Sequence, residues 1–305
     1  MPITVNLAHL RRNGFKIQNL SDHRRGLLEM LLACLLFSLM NVCVYAIKWF
    51  DSDTPVTVIS FVRILSNLLI LIIPALFRSQ LVTLFGDGRP SLWLRGLFGT
   101  IALMLSFAAI TRIGPGESAF LTASSGVFVA LLGPWVLGQK NSWWVWLAIF
   151  GSFAGIALLF TPNGQTVDVL GRAMALSAGF LSAMAYLMVA RAGRSNSPQS
   201  VIFYFCLVAL VLHLAYFGRY GYQLPQRPTT WALLLLTGLL GSAAQFCMTR
   251  AYQAAPAALV SAVGYLAPVL SLAWGVAFFE QVPGQNALLG SLLILLFGVL
   301  LPFLR

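Results

Sequence analysis

Apolar stretches of about 20 residues, the length that carries a helix across a bilayer core, recur along this chain. Charge, proline or turn residues break them into spans at 26–48, 56–77, 94–112, 116–137, 143–161, 171–191, 200–218, 231–252, 257–279 and 285–304. Only short connections and a polar tail are left over, so no soluble domain fits. The pattern predicts an all-α polytopic membrane protein with ten transmembrane helices.

Composition agrees. Hydrophobic types make up 59% of the chain and charged types 9%, against about 25% charged in a soluble domain. So little charge cannot cover a surface in water, whereas lipid tolerates it. The net charge of +11 does not point to nucleic acid, because the basic residues cluster between apolar runs instead of forming one face. Lys48, Arg112, Arg172, Arg219 and Arg227 fall on one side of the membrane. Arg63 lies within it, and the other basic residues, Arg95 among them, fall on the side of the N-terminus. By the positive-inside rule both termini are cytoplasmic. The tail, 1–25, holds no apolar core beside a small-residue cleavage site, so it does not read as a signal peptide.

A small-residue pattern occurs twice. GLFGT stands at 96–100 and GLLGS at 238–242, an offset of 142 residues at which Gly96, Gly99 and Gly133 meet Gly238, Gly241 and Gly275. Five spans separate the two copies. Five is odd, so the second copy enters the membrane from the opposite side. Two inverted five-helix repeats, 26–162 and 163–305, are therefore expected, the architecture that secondary transporters use for alternating access. Gly96, Gly99, Gly238 and Gly241 are read as helix-packing positions.

Several stretches carry a family likeness. They are LLFSLMNVCVYAIKW at 35–49, FVRIL at 61–65, GPGESAFLTASSGVFVALLGPWVLGQK at 114–140 and PAALVSAVGYLAPVLSLAWGVAFFE at 256–280. With these the chain resembles the ten-helix EamA-type members of the drug/metabolite transporter superfamily, from about 26 to 304. The fourth span ends in GQK where an acidic GE is common, and Gly126 stands where proline is frequent. The resemblance implies transport of a small organic metabolite, such as an amino acid or related compound, across a bacterial inner membrane. It leaves the substrate open.

Candidate binding residues follow from polarity inside spans. Arg63 sits deep in the second span, where a charge costs roughly 2.5–3.5 kcal/mol on insertion scales. It either holds an anionic group such as a carboxylate or locks its own helix. Glu117 opens the fourth span, where it complements the helix dipole, pairs with Arg63 or relays protons. Asn41 and Tyr45 share a face of the first span with Ser38. Thr122, Gln245 and Tyr265 add polarity to the fourth, eighth and ninth spans. Pro268 removes a hydrogen bond and kinks the ninth span, freeing the carbonyl of Gly264 as a hinge or a cavity group.

No catalytic or metal site is expected. The sequence has no HExxH, no P-loop and no intramembrane acid pair, and Cys34, Cys43, Cys206 and Cys247 sit singly in apolar runs. No cofactor is implied. The expected partners are the substrate and the bilayer, a homodimer being compatible with the sequence. A non-transporting scaffold is the alternative function; an intramembrane enzyme or a channel fits less well.

Overall fold

The computed structural model describes residues 7–137, 142–160, 168–193, 195–255 and 257–300. The GQK ending, with Lys140, and also Arg194 and Arg305, lie outside these residues, as do the side chains of Arg11, Arg12 and Lys16. The described elements are helices: α1 (Leu7–Phe50), α2 (Val56–Phe77), α3 (Pro90–Ile113), α4 (Pro115–Ala123), α5 (Ser125–Leu137), α6 (Trp143–Phe160), α7 (Val169–Ala192), α8 (Pro198–Tyr220), α9 (Pro228–Ala254), α10 (Ala257–Gly264), α11 (Leu266–Phe279) and α12 (Gln285–Leu300). A 3-10 turn, Leu81–Phe85, follows α2. α4 and α5 are two halves of one crossing broken at Ser124, and α10 and α11 are halves of another broken at Tyr265. Twelve helices thus make ten crossings. Eight are long and apolar enough to span a bilayer, and Trp143–Leu158 and Gln285–Leu300 are shorter apolar helices.

Helix starts follow local chemistry. Pro90, Pro115, Pro198 and Pro228 open α3, α4, α8 and α9, where a missing N–H costs nothing and the fixed φ suits a helix. The Asp168 carboxylate accepts from the Gly171 N–H at 2.9 Å and the Ser197 hydroxyl from the Ser200 N–H at 3.2 Å, capping α7 and α8. α3 ends at Gly114, whose φ of 82° suits a residue without a Cβ. Exposed Trp93, Trp135, Trp143 and Trp144 gather at one end of the bundle, and Trp49, Tyr220 and Tyr222 at the other. These are the two aromatic belts of a membrane protein.

The packing repeats itself when the halves are exchanged. α1 packs on α9 as α7 packs on α3; α2 packs on α9 as α8 packs on α3; α1 packs on α11 as α7 packs on α5. α2 meets α8, α4 meets α11 and α6 meets α12, each a helix against its own counterpart or part of it. This is the pattern of a two-fold axis between the halves; because each half makes five crossings, an odd number, the axis lies in the membrane plane and the repeats are inverted.

The doubled glycines explain the close approach. A Cβ on Gly96 would stand 2.8 Å from the Tyr204 carbonyl oxygen of α8, and one on Gly238 would strike the Ser66 side chain of α2. A Cβ on Gly99 would strike the Arg95 guanidinium, and one on Gly241 would lie 2.6 Å from Arg63 Nε. The first glycine of each copy therefore admits a helix and the second admits an arginine. Behind them α6 and α12 touch so closely that a Cβ on Gly155 would lie 2.7 Å from the Gly290 carbonyl oxygen.

Ion pairs tie the repeats at both ends. Arg112 at the end of α3 grips Asp168 at the start of α7, with contacts of 2.8 and 3.1 Å. At the opposite end Arg250 of α9 reaches Glu29 of α1 at 2.9 Å, and Arg25 reaches the same carboxylate at 3.3 Å. These pairs join equivalent helices of the two repeats.

Gly155→Leu should lower thermal stability by about 1–3 kcal/mol, the usual cost of overpacking, measured by thermal unfolding of the purified protein. Gly218, which has nothing within 4 Å of its Cβ position, should accept the same change; equal losses at the two sites would refute the close α6–α12 contact. The Arg112 guanidinium, then the Gly171 N–H, holds the Asp168 carboxyl below its ordinary 3.8. Its contribution is therefore present above pH 3.8 and lost as pH falls through the lowered value. The melting difference between the protein and Asp168→Asn should hold steady from neutral pH down to 3.8 and shrink only in stronger acid. A difference already gone above that point would contradict the pairing.

Candidate functional site

Between the repeats lies a cavity of about 190 Å³. α1, α3, the broken α4–α5, α7, α9 and the broken α10–α11 wall it, while α2 and α8 contribute Arg63 and Phe205. α6 and α12 contribute nothing to the lining. It therefore sits where the repeats meet and is built from equivalent helices of both.

Its dominant feature is charge. Arg63 and Arg95 are each 3% exposed, and the Nε and Nη1 atoms of both lack a hydrogen-bond partner. The two guanidinium carbons lie 5.9 and 4.6 Å from the centre of the Phe205 ring, and that of Arg63 lies 6.0 Å from the Phe107 ring. A desolvated cation–π contact is worth about 2 kcal/mol. Holding a charge at mid-membrane costs roughly 2.5–3.5 kcal/mol even on the lenient insertion scales. The rings thus offset part of the cost and cannot neutralise the charge. Among the described residues no carboxylate pairs with either arginine and none lines the cavity.

The other expected residues divide. Asn41, Thr122, Gln245, Tyr265, Gly264 and Pro268 line the cavity with Arg63. The Asn41 amide donates to Ser271 Oγ at 3.3 Å, joining α1 to α11, and the Gln245 amide donates to Thr249 Oγ1 at 3.4 Å on its own helix. The Thr122 hydroxyl donates to the Ala175 carbonyl at 3.4 Å. Tyr45 is not in the lining; it packs edge-on against Phe279 at 4.7 Å and beside Trp49 at 6.2 Å. Glu117 is also outside the lining. It pairs with Arg172 of α7, not with Arg63.

The two breaks in helical continuity face this cavity. Pro268 has no N–H to offer the Gly264 carbonyl, and the Cys34 thiol lies 3.8 Å from that oxygen and 3.5 Å from the Val263 oxygen. Tyr265 is wedged between the repeats. Its hydroxyl would lie 2.8 Å from a Cβ on Gly126, and its ring fills the space beside Gly298. Gly126 is thus the seat of an aromatic ring.

Arg95 corrects the sequence assignment. Its place near the start of a span puts it among the cytoplasmic juxtamembrane charges, yet it lies inside α3, buried against Phe205. A signal is present in RGLFG, 95–99: an arginine one helical turn before a glycine. The side chain turns along its own helix over the bare Gly99 backbone and so stays in the bundle. Tyr186, which lines the cavity and stacks on Tyr252 at 5.2 Å, also escapes sequence reasoning; the signal is its hydroxyl together with Ser182, one helical turn before it on the same face.

The sequence of this site has relatives. The EamA-like transporter family pattern matches residues 24–161 and again residues 169–303. The chain is 27% identical over 271 residues to the pseudopaline exporter CntI of Pseudomonas aeruginosa, covering 89% of this chain and 93% of that protein. It is 27% identical over 281 residues to a riboflavin transporter of Vibrio cholerae (89% and 91% covered) and 25% identical over 285 residues to mouse solute carrier family 35 member G1 (88% and 76% covered). A solved crystal structure shares the fold at a TM-score of 0.65 with 18% identity, over 93% of this chain and 96% of that one. With the family pattern falling twice on a bundle whose packing also repeats, this chain belongs to the EamA-like transporter family.

Proposed function

We propose that this membrane transporter moves a small organic metabolite, an amino acid or related compound bearing a carboxylate, across the bacterial inner membrane by alternating access, with both termini in the cytoplasm. The observation that carries this is the cavity shared by the two repeats with the uncompensated Arg63 guanidinium in its wall. Two inverted halves can exchange conformations, and the exchange reverses which end of a shared cavity is open. The clamps at either end suit such an exchange. Arg112–Asp168 joins α3 to α7, and Arg250–Glu29 joins the equivalent α9 and α1 at the opposite end. Each can part while the other holds.

Coupling is read as facilitated transport or exchange. A proton carrier needs a carboxylate free to titrate in the pathway. Glu117 is committed to Arg172 and stands outside the cavity lining. Glu29 is committed to Arg25 and Arg250.

Purified protein in liposomes should show saturable uptake and counterflow of a carboxylate-bearing metabolite, and Arg63→Gln should reduce the rate at least tenfold, the loss of one charge-assisted contact. Electrical flux without saturation would make the chain a channel, and neither behaviour would make it a scaffold. Glu117→Gln should preserve the pH profile of uptake; a flattened profile would instead assign the proton to Glu117.

A further inference from the structure

Arg95 adds a second requirement to this site. We infer that the transported compound is a dianion whose two negative groups, or one doubly charged group, engage Arg63 and Arg95 together; this rests on the transport reading above and narrows its substrate class.

The geometry makes the two arginines one recognition unit. They come from neighbouring helices, α2 and α3, and share a single ring, with guanidinium carbons 5.9 and 4.6 Å from the Phe205 centre. Both line the same cavity. Each guanidinium keeps two nitrogens without a partner. A planar fork of donors matches a carboxylate or phosphoryl group through paired hydrogen bonds. One anionic group on one arginine would leave the other unmatched in a low-dielectric site, where a lone charge is most costly.

The rest of the wall argues against a cationic cargo and, among the carboxylate-bearing compounds proposed above, favours a related acid over a zwitterionic amino acid. An ammonium here would meet the charge of two guanidiniums, and the Phe107 and Phe205 rings, whose faces can hold a cation, already carry Arg63 and Arg95. Among the described lining residues there is no Asp or Glu. The Gly264 carbonyl, freed by Pro268, faces the Cys34 thiol. The rest of the wall combines neutral hydrogen-bonding side chains, among them Asn41, Thr122 and Gln245, with an apolar and aromatic part, Phe37, Leu103, Tyr186 and Met248, that offers a surface for a short carbon skeleton. A built pocket also distinguishes Arg95 from a stray interfacial charge. Gly99 leaves room for its guanidinium as Gly241 does for that of Arg63. Those two glycines are counterparts in the repeat, so one duplicated backbone feature houses both arginines.

The test uses the purified full chain with five probes: succinate, propionate, inorganic phosphate, L-alanine and choline. Succinate should raise the melting temperature at concentrations where alanine and choline leave it unchanged, because a ligand of the folded state stabilises it. Arg95→Gln should weaken succinate at least tenfold while propionate, a monoanion, binds it as well as it binds the unaltered protein through Arg63. Arg95→Lys should recover part of the loss. A response to phosphate alone keeps the dianion and assigns it to a phosphoryl compound. Equal or stronger stabilisation by alanine or choline, or no response to either dianion, overturns the inference without need of any variant. Counterflow separates this from the broader reading. Saturable exchange of alanine with none of succinate removes the dianion and leaves transport standing. Succinate binding without exchange of any probe keeps the site and removes transport.

Discussion

Hydrocarbon offers a cation no water and no counter-ion, so a guanidinium placed there must be accommodated by the protein around it. The centre of this bundle is organised by that constraint. Arg63 and Arg95 lie inside helices that face lipid on their far sides, and both are buried against aromatic rings. Space for them comes from glycine. Gly241 admits Arg63 and Gly99 admits Arg95, while Gly238 and Gly96 bring the same helices against α2 and α8. Close packing and charge accommodation are therefore one feature of the backbone used twice. A side chain at any of the four positions would disturb both.

The ends of the bundle handle charge differently. Arg112, Arg172 and Arg250 each have a carboxylate partner within reach, as does Arg25. The contrast is informative because the same chain supplies acids where a cation only needs anchoring. Around the cavity it supplies none among the described residues. Ion pairs thus hold the described bundle together at its two ends, while the two arginines in the middle stand without a carboxylate.

Much of this is legible in the sequence. Span length and the breaks between spans place ten crossings, because the bilayer sets helix length and a run of about 20 apolar residues has little use outside lipid. The offset of 142 residues between glycines reveals the repeat, and an odd number of crossings makes it inverted. Side-chain direction is not legible. Arg95 stands near the start of a span, where a basic residue ordinarily points to water, and only the tertiary fold shows it turned along α3 over Gly99. Tyr45 shares a helical face with Asn41 yet sits one turn nearer the end of the bundle, among Trp49 and Phe279. Glu117 pairs with Arg172 instead of Arg63 because of how α7 lies against α4. Periodicity reports which face a residue occupies; it does not report depth or partner.

Phe205 occupies the position in the second repeat that Arg63 holds in the first, since the same offset of 142 separates them. The copied backbone thus carries a cation on one side of the axis and, on the other, the ring that cation rests on. The wall between the repeats is therefore built from two halves alike in backbone but unlike in polarity. Duplicated shape does not impose duplicated chemistry.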